Sequence, residues 1–138
     1  MIGYVTVGAD DLALAESFYS SFLPALGYGL DVSPEGLSYS IAGTTGQGHE
    51  PPDFYVKPPF DGQKASAGNG AMVAFQVPTQ ALLRKLHAAA LASGGRNEGA
   101  PGFRAAYSAH FYVGYLRDPQ GNKIALFCND RNEAGRPG

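Results

Sequence analysis

A single cysteine, Cys128, is all the thiol this chain carries, so an internal disulfide framework is excluded. No basic stretch is longer than Arg84-Lys85, and the electrostatic footprint of a nucleic-acid binder is missing. Ten basic against twelve acidic side chains leave a formal charge of -2. The opening residues, MIGYVTVGADD, combine neither a basic head nor a long apolar run, which predicts no signal peptide and no membrane span. A cytoplasmic protein in a reducing compartment is expected, with neither nucleic acid nor membrane as partner. What the chain has in abundance is glycine, nineteen residues, beside ten prolines. They punctuate strand-like segments and form no low-complexity tract. At 138 residues the chain suffices for one domain that buries about two thirds of its unfolded surface.

The chain also repeats itself. When Tyr4-Val5-Thr6-Val7 is laid over Met72-Val73-Ala74-Phe75, Asp11 falls on Thr79, Phe18 on Leu86, Leu23 on Leu91 and Gly27 on Gly95. Each copy has an alternating strand, a capping residue, an amphipathic run and a stopping glycine. Two similar modules must bury their apolar faces together, and the space between the copies is where a site is expected.

In the first copy, residues 2–8 alternate, with Val5 and Val7 on one face and Tyr4 and Thr6 on the other. Asp10 or Asp11 caps a helix running to about Ala25. Its stripe of Leu14, Phe18 and Phe22 is expected to cover Val5 and Val7. Strands follow at 28–32, 37–42 and 54–57. The second copy opens at 71–77, with Val73, Phe75 and Val77 opposite Met72, Ala74 and Gln76. Thr79 caps a helix carrying Leu82, Leu83, Leu86, Ala90 and Leu91, and Gly94-Gly95 ends it. Strands are expected around 104–107, at 111–117 and at 123–128, the last two joined by the turn Asp118-Pro119-Gln120-Gly121-Asn122. The residues after Asn129 are expected to fray.

Paired β-α-β-β-β modules, Asp-Leu-x-x-Ala-x-x-Phe-Tyr at 11–19 and Arg-Asp-Pro-x-Gly-Asn-x-Ile at 117–124 resemble the vicinal oxygen chelate superfamily of glyoxalases, bleomycin resistance proteins and extradiol dioxygenases. The resemblance implies an α+β fold in which the two tandem modules form a curved mixed-sheet cup with helices outside. One domain over 1–130 is expected, with repeats at about 2–60 and 70–128 and a flexible tail at 131–138. It also implies a homodimer, and a divalent metal held in the cup by imidazole and carboxylate. Carried over position by position, the ligands fall on Tyr4, on Met72, on Ala125, and near Tyr55 or Lys57. No metal cofactor is therefore expected, and an aromatic cup formed by Tyr4, Thr6, Tyr55, Met72, Ala74, Tyr115, Ala125 and Phe127 is the expected small-molecule site. Pocket and packed second core remain open as alternatives, since both use these residue types.

Two further readings stand beside it. A lyase or dioxygenase-type enzyme would use a relocated metal or His110 as acid or base, with His49 and Glu50 as further donors. A dimerisation unit would have a filled cup. The plainer expectation for His110 is an edge-loop residue bonded to backbone, and for His87 a boundary residue reaching for water. Arg104 and Arg117 are candidate carboxylate anchors, or ordinary cross-strand partners. Cys128 is expected to be packed and inert.

Overall fold

The computed structural model describes residues 1–42 and 51–138. His49 and Glu50 lie outside the described residues. The first module runs β1 (Tyr4–Gly8), α1 (Leu12–Tyr19), β2 (Tyr28–Ser33), β3 (Gly36–Ile41) and β4 (Asp53–Lys57). The second repeats the order with β5 (Val73–Gln76), α2 (Gln80–Ala92), β6 (Arg96–Phe103), β7 (Tyr112–Arg117) and β8 (Lys123–Cys128). Each module forms its own four-stranded mixed sheet, in the orders β1-β4-β3-β2 and β5-β8-β7-β6. The opening strand of each module pairs in parallel with its last strand. The two tandem β-α-β-β-β modules of the expected α+β fold are thus present, and no barrel closes among the described residues. No described helix is long and apolar enough to cross a membrane.

Local signals set the helix ends. The Asp11 carboxylate accepts from Leu14 N at 3.0 Å and the Thr79 hydroxyl from Leu82 N at 3.1 Å, satisfying amides that the helix itself leaves free. Gly94, at φ 96°, takes the left-handed conformation after α2. The apolar stripe of α1 is rotated from its expected position: Ala15, Phe18 and Tyr19 are buried, and Leu14 is half exposed. Leu91 likewise sits at the surface of α2, where Leu83, Leu86 and Ala90 are buried.

One apolar layer joins both modules beneath the helices. Phe75 of β5 meets Phe22, Phe54 and Tyr28 of the first module at ring-centroid distances of 5.8, 5.2 and 5.9 Å. Edge-on aromatic pairs add about 0.5–1.5 kcal/mol each beyond the area they bury.

A polar clasp closes the same joint, and it is built from the two motifs. Buried Asp118 accepts from the Tyr19 hydroxyl at 2.5 Å, and from Gln120 N, Asn122 N and Asn122 Nδ2 at 2.9 Å each. Asn122 Nδ2 also donates to the Gly8 carbonyl at 2.9 Å, and Gln120 accepts from Asp10 N at 2.8 Å. Burial, and then the Asp118 carboxylate, push the Tyr19 phenol well above its ordinary range. The folded protein holds this proton where the unfolded chain would release it. The resulting stability is whole below about pH 10 and declines as pH rises beyond it. Urea unfolding from pH 8 to 11 is expected to show that decline, and Tyr19→Phe to make it shallower; an equal slope in the variant would refute the assignment.

Three expectations are corrected. The strand placed at 104–107 is instead β6 at Arg96–Phe103, while 104–107 makes a turn, with Tyr107 N bonded to Arg104 O at 3.1 Å. Arg-Asn-Glu-Gly-Ala-Pro-Gly-Phe has no alternation, and β6 accommodates Pro101 because it is an edge strand with irregular pairing between Asn97 and Gly102. His87 is buried, its Nε2 3.1 Å from the Tyr115 carbonyl oxygen, and does not reach water. The tail expected to fray is fastened: Glu133 accepts from Gln80 N at 2.7 Å, and Arg136 donates to the Arg104 and Tyr107 carbonyls at 3.1 and 2.7 Å. Cys128 is packed under this tail, its thiol pushed up by burial and left the weaker nucleophile for it.

Candidate functional site

Strand alternation divides each sheet into a helix-covered face and an inner face. On the first sheet Val5, Val7, Phe54 and Val56 turn toward the helix, leaving Tyr4, Thr6, Asp53, Tyr55 and Lys57 inside. On the second sheet Phe75, Ile124, Leu126 and Leu116 join the core. Ala74, Ala125 and Tyr115 stand side by side across the inner face, with Gln76, Phe127 and Val113 in the next row. The hairpin register therefore sets Tyr115 opposite Ala125 and keeps Tyr112 in the core.

The first inner face is open. Tyr4 is 65% exposed and its ring centre is 5.3 Å from that of Tyr55. The Tyr55 hydroxyl donates to Asp53 at 3.1 Å, and that bond holds its proton and raises its pKa. Lys57 lies over the Tyr55 ring at 5.0 Å. Tyr4, Tyr55 and Lys57 border one surface hollow with Glu35 and Ser38, while Thr6 borders another beside Pro58 and Pro59.

The second inner face is layered with aromatic rings. Phe127 stacks on Phe111 at 5.5 Å with planes 18° apart, and Tyr107 meets Phe111 edge-on at 5.5 Å. Val113 and Ala125 are buried beneath, each about 1% exposed. Above them a hollow of about 300 Å³ opens between Met72, Tyr107, Ser108, Phe111 and Tyr115. A second hollow, of about 320 Å³, follows the seam between the sheets and includes Met72 and Ala74 with Asp53 and Phe54. Both are at the small end of the size range of small-molecule pockets.

The eight residues expected to line one cup are thus sorted by module. Tyr4, Thr6 and Tyr55 share the first face; Met72, Ala74, Tyr115, Ala125 and Phe127 share the second. Ala125 and Phe127 form its floor and stack, while Met72 and Tyr115 reach the hollow. Sequence reasoning passed over Tyr107, Ser108 and Phe111, which sit on a turn with no periodicity. It also passed over Lys123, although the alternation of Lys123, Ala125 and Phe127 along β8 puts that lysine inside.

The remaining candidates do not border the hollow. His110 points at the tail, where a Cβ on Gly135 would sit 3.2 Å from its Cε1. Its Nδ1 is buried with no hydrogen-bond partner, contrary to the expected backbone bond. Arg117 donates to Glu98 at 3.1 Å and to the Gly121 carbonyl at 3.0 Å. Arg104 donates to the Phe103 and Ala100 carbonyls at 3.3 and 2.8 Å, and its guanidinium lies 5.6 Å from the Tyr115 ring centre. Among the described residues no three His, Cys, Asp or Glu side chains converge in a metal-binding group.

Comparison with known proteins rests on structure. No protein-family model and no curated protein matches the chain. A solved glyoxalase/bleomycin resistance protein from Albidiferax ferrireducens T118 is 32% identical, with 94% of this chain and 99% of that one covered at a TM-score of 0.77. A glyoxalase-related enzyme from Fulvimarina pelagi shares the fold at 19% identity, covering 94% and 88% of the two chains with a TM-score of 0.70. A glyoxylase/bleomycin resistance protein/dioxygenase domain from Frankia sp. EAN1pec does so at 10% identity, 96% and 94% coverage and a TM-score of 0.69. Two modules joined by the Tyr19–Asp118 clasp, at this identity over nearly the whole of both chains, mark a member of the glyoxalase/bleomycin resistance protein family, within the vicinal oxygen chelate superfamily.

Proposed function

We propose that the protein binds a small aromatic molecule on the inner face of its second sheet, without the metal its superfamily usually holds. The observation that carries this reading is the hollow between Met72, Tyr107, Phe111 and Tyr115. It opens beside Met72 and Ala125, two positions where the superfamily resemblance calls for metal ligands. Around a hard divalent ion this donor set does not fit: Met72 brings a thioether, Ala125 a buried methyl, and Tyr55 a phenol whose proton is held by Asp53. The same residues suit a flat apolar ligand, which gains both buried area and ring stacking.

Calorimetric titration with 2-naphthamide is expected to show saturable binding at one site per chain. Met72→Trp, at a position 47% exposed, fills the hollow without disturbing the core and is expected to weaken binding at least roughly tenfold. Zinc, nickel and manganese are expected to leave the melting temperature unchanged, since only a ligand of the folded state raises it. Absence of naphthamide binding, or a stoichiometric metal with a rise in melting temperature, would overturn the proposal.

A further inference from the structure

We infer that the ligand of this hollow carries an acid group, and that Lys123 is the residue that recognises it. The inference rests on the proposed aromatic site and names the ligand class, a small planar aromatic acid. Aromatic walls alone would suit a neutral ring or a quaternary ammonium equally well. The charges over the ring of Tyr115, one wall of the hollow, decide between them.

Two cations stand over the Tyr115 ring, Lys123 Nζ at 5.1 Å from its centre and the Arg104 guanidinium at 5.6 Å. Among the described residues, those bordering the hollow include no carboxylate, and both cations reach it across Tyr115, one of its walls. A third cation, Arg136, is fixed behind the loop by the Arg104 and Tyr107 carbonyls. The acid group facing this region from β6 is Glu98, which Arg117 holds at 3.1 Å. Arg117 first, then Lys123 and Arg96, keep the Glu98 carboxyl below its usual range, so three cations share one carboxylate. A positively charged ligand is repelled there.

Arg104 and Lys123 are not equivalent. The guanidinium is committed to two carbonyl oxygens and serves as fixed scaffolding. It also crowds Gly99, where an added Cβ would come within 2.9 Å of Tyr115 Cδ2 and 3.1 Å of Arg104 Nη2. Lys123, by contrast, has no hydrogen bond or ion pair among the described residues; Glu98 is held by Arg117 and attracts Lys123 only at longer range, so the ammonium over Tyr115 can turn toward an incoming anion. Tyr107, Ser108 and Tyr115 border the same hollow, and their hydroxyls supply neutral donors for the acid oxygens. A carboxylate met by an ammonium and by hydroxyls gains charge-assisted hydrogen bonds, while its ring lies against Met72 and Phe111.

The test compares 2-naphthoate with its neutral isostere 2-naphthamide and with 2-naphthylmethylammonium, by calorimetry at low salt. Naphthoate is expected to bind roughly tenfold more tightly than naphthamide, and the ammonium more weakly than either. Lys123→Gln should bring naphthoate down to the level of naphthamide and leave naphthamide unchanged, whereas Lys123→Arg should preserve the preference. Melting temperatures of both variants check that the fold is intact. Equal binding of naphthoate and naphthamide would overturn the inference and leave the aromatic site standing. A preference that survives in Lys123→Gln would overturn the role of Lys123. Failure of all three ligands to bind would overturn the aromatic site as well.

Discussion

Asp118→Ala is expected to cost about 3–5 kcal/mol, a large share of the roughly 5–15 kcal/mol that holds a domain of this size together. The carboxylate is buried and has no basic partner among the described residues; four neutral donors from three residues satisfy it. Alanine would strand all of them. The Tyr19 hydroxyl would point at a methyl group, and two backbone amides of the β7–β8 turn would lose the acceptor that shapes it. Replacing Tyr19 by phenylalanine removes one donor of the four and is expected to cost about 1–2 kcal/mol. The two losses share a partner, so the double variant should fall short of their sum. Urea unfolding is the measurement, with a drop in midpoint at constant slope the expected signature. A midpoint for Asp118→Ala within about 0.5 kcal/mol of wild type would mean that the clasp is ornamental.

Gly36→Ala is expected to be comparably damaging for a different reason. Gly36 opens β3 after the Ser33-Pro34-Glu35 turn at φ 137°, a conformation only glycine enters cheaply. A Cβ there would also run into the Val56 carbonyl and come within 3.2 Å of Lys57 Cα. Both obstacles are backbone of β4, and neither can turn aside as a side chain would. Strain and clash together should cost roughly 3 kcal/mol or more, read again from the urea midpoint. Gly29→Ala makes the control: it has negative φ, and its added methyl meets a backbone oxygen only at 3.8 Å. Equal losses in the two variants would show that the position does not matter.

The fold was legible in the sequence wherever chemistry repeats at a fixed spacing. Asp11 and Thr79 cap the helices, β8 spans the predicted 123–128, and the turn at 118–122 contains Gly121 at positive φ. What escaped were contacts made between distant segments. Leu14 and Phe18 lie four residues apart on α1, yet only Phe18 is buried, packed so closely against Gly95 of the second module that a Cβ there would meet its ring at 2.6 Å. The spacing of His87 beside Leu83 and Leu91 was plain, and so was the strand at 111–117, but not that this strand packs against the helix and brings the Tyr115 carbonyl to the imidazole. The site was legible only in part, for the same reason. Met72, Tyr115 and Phe127 follow from strand alternation, whereas Tyr107 and Phe111 belong to a turn whose position depends on Arg136 in the tail.

The two motifs behind the resemblance turn out to be the fastenings of this protein. Each sheet keeps its hydrogen-bond ladder to itself, and β1 and β5 are not ladder partners. The angle at which the two halves meet is therefore a property of side chains: the rings around Phe75 on one side of the seam, Asp118, Asn122 and Gln120 on the other. Substitutions at that joint can widen or narrow the space between the sheets while every strand keeps its register. Such a scaffold can change the size of its guest by trading side-chain volume at a hinge line, with no need to rebuild a wall.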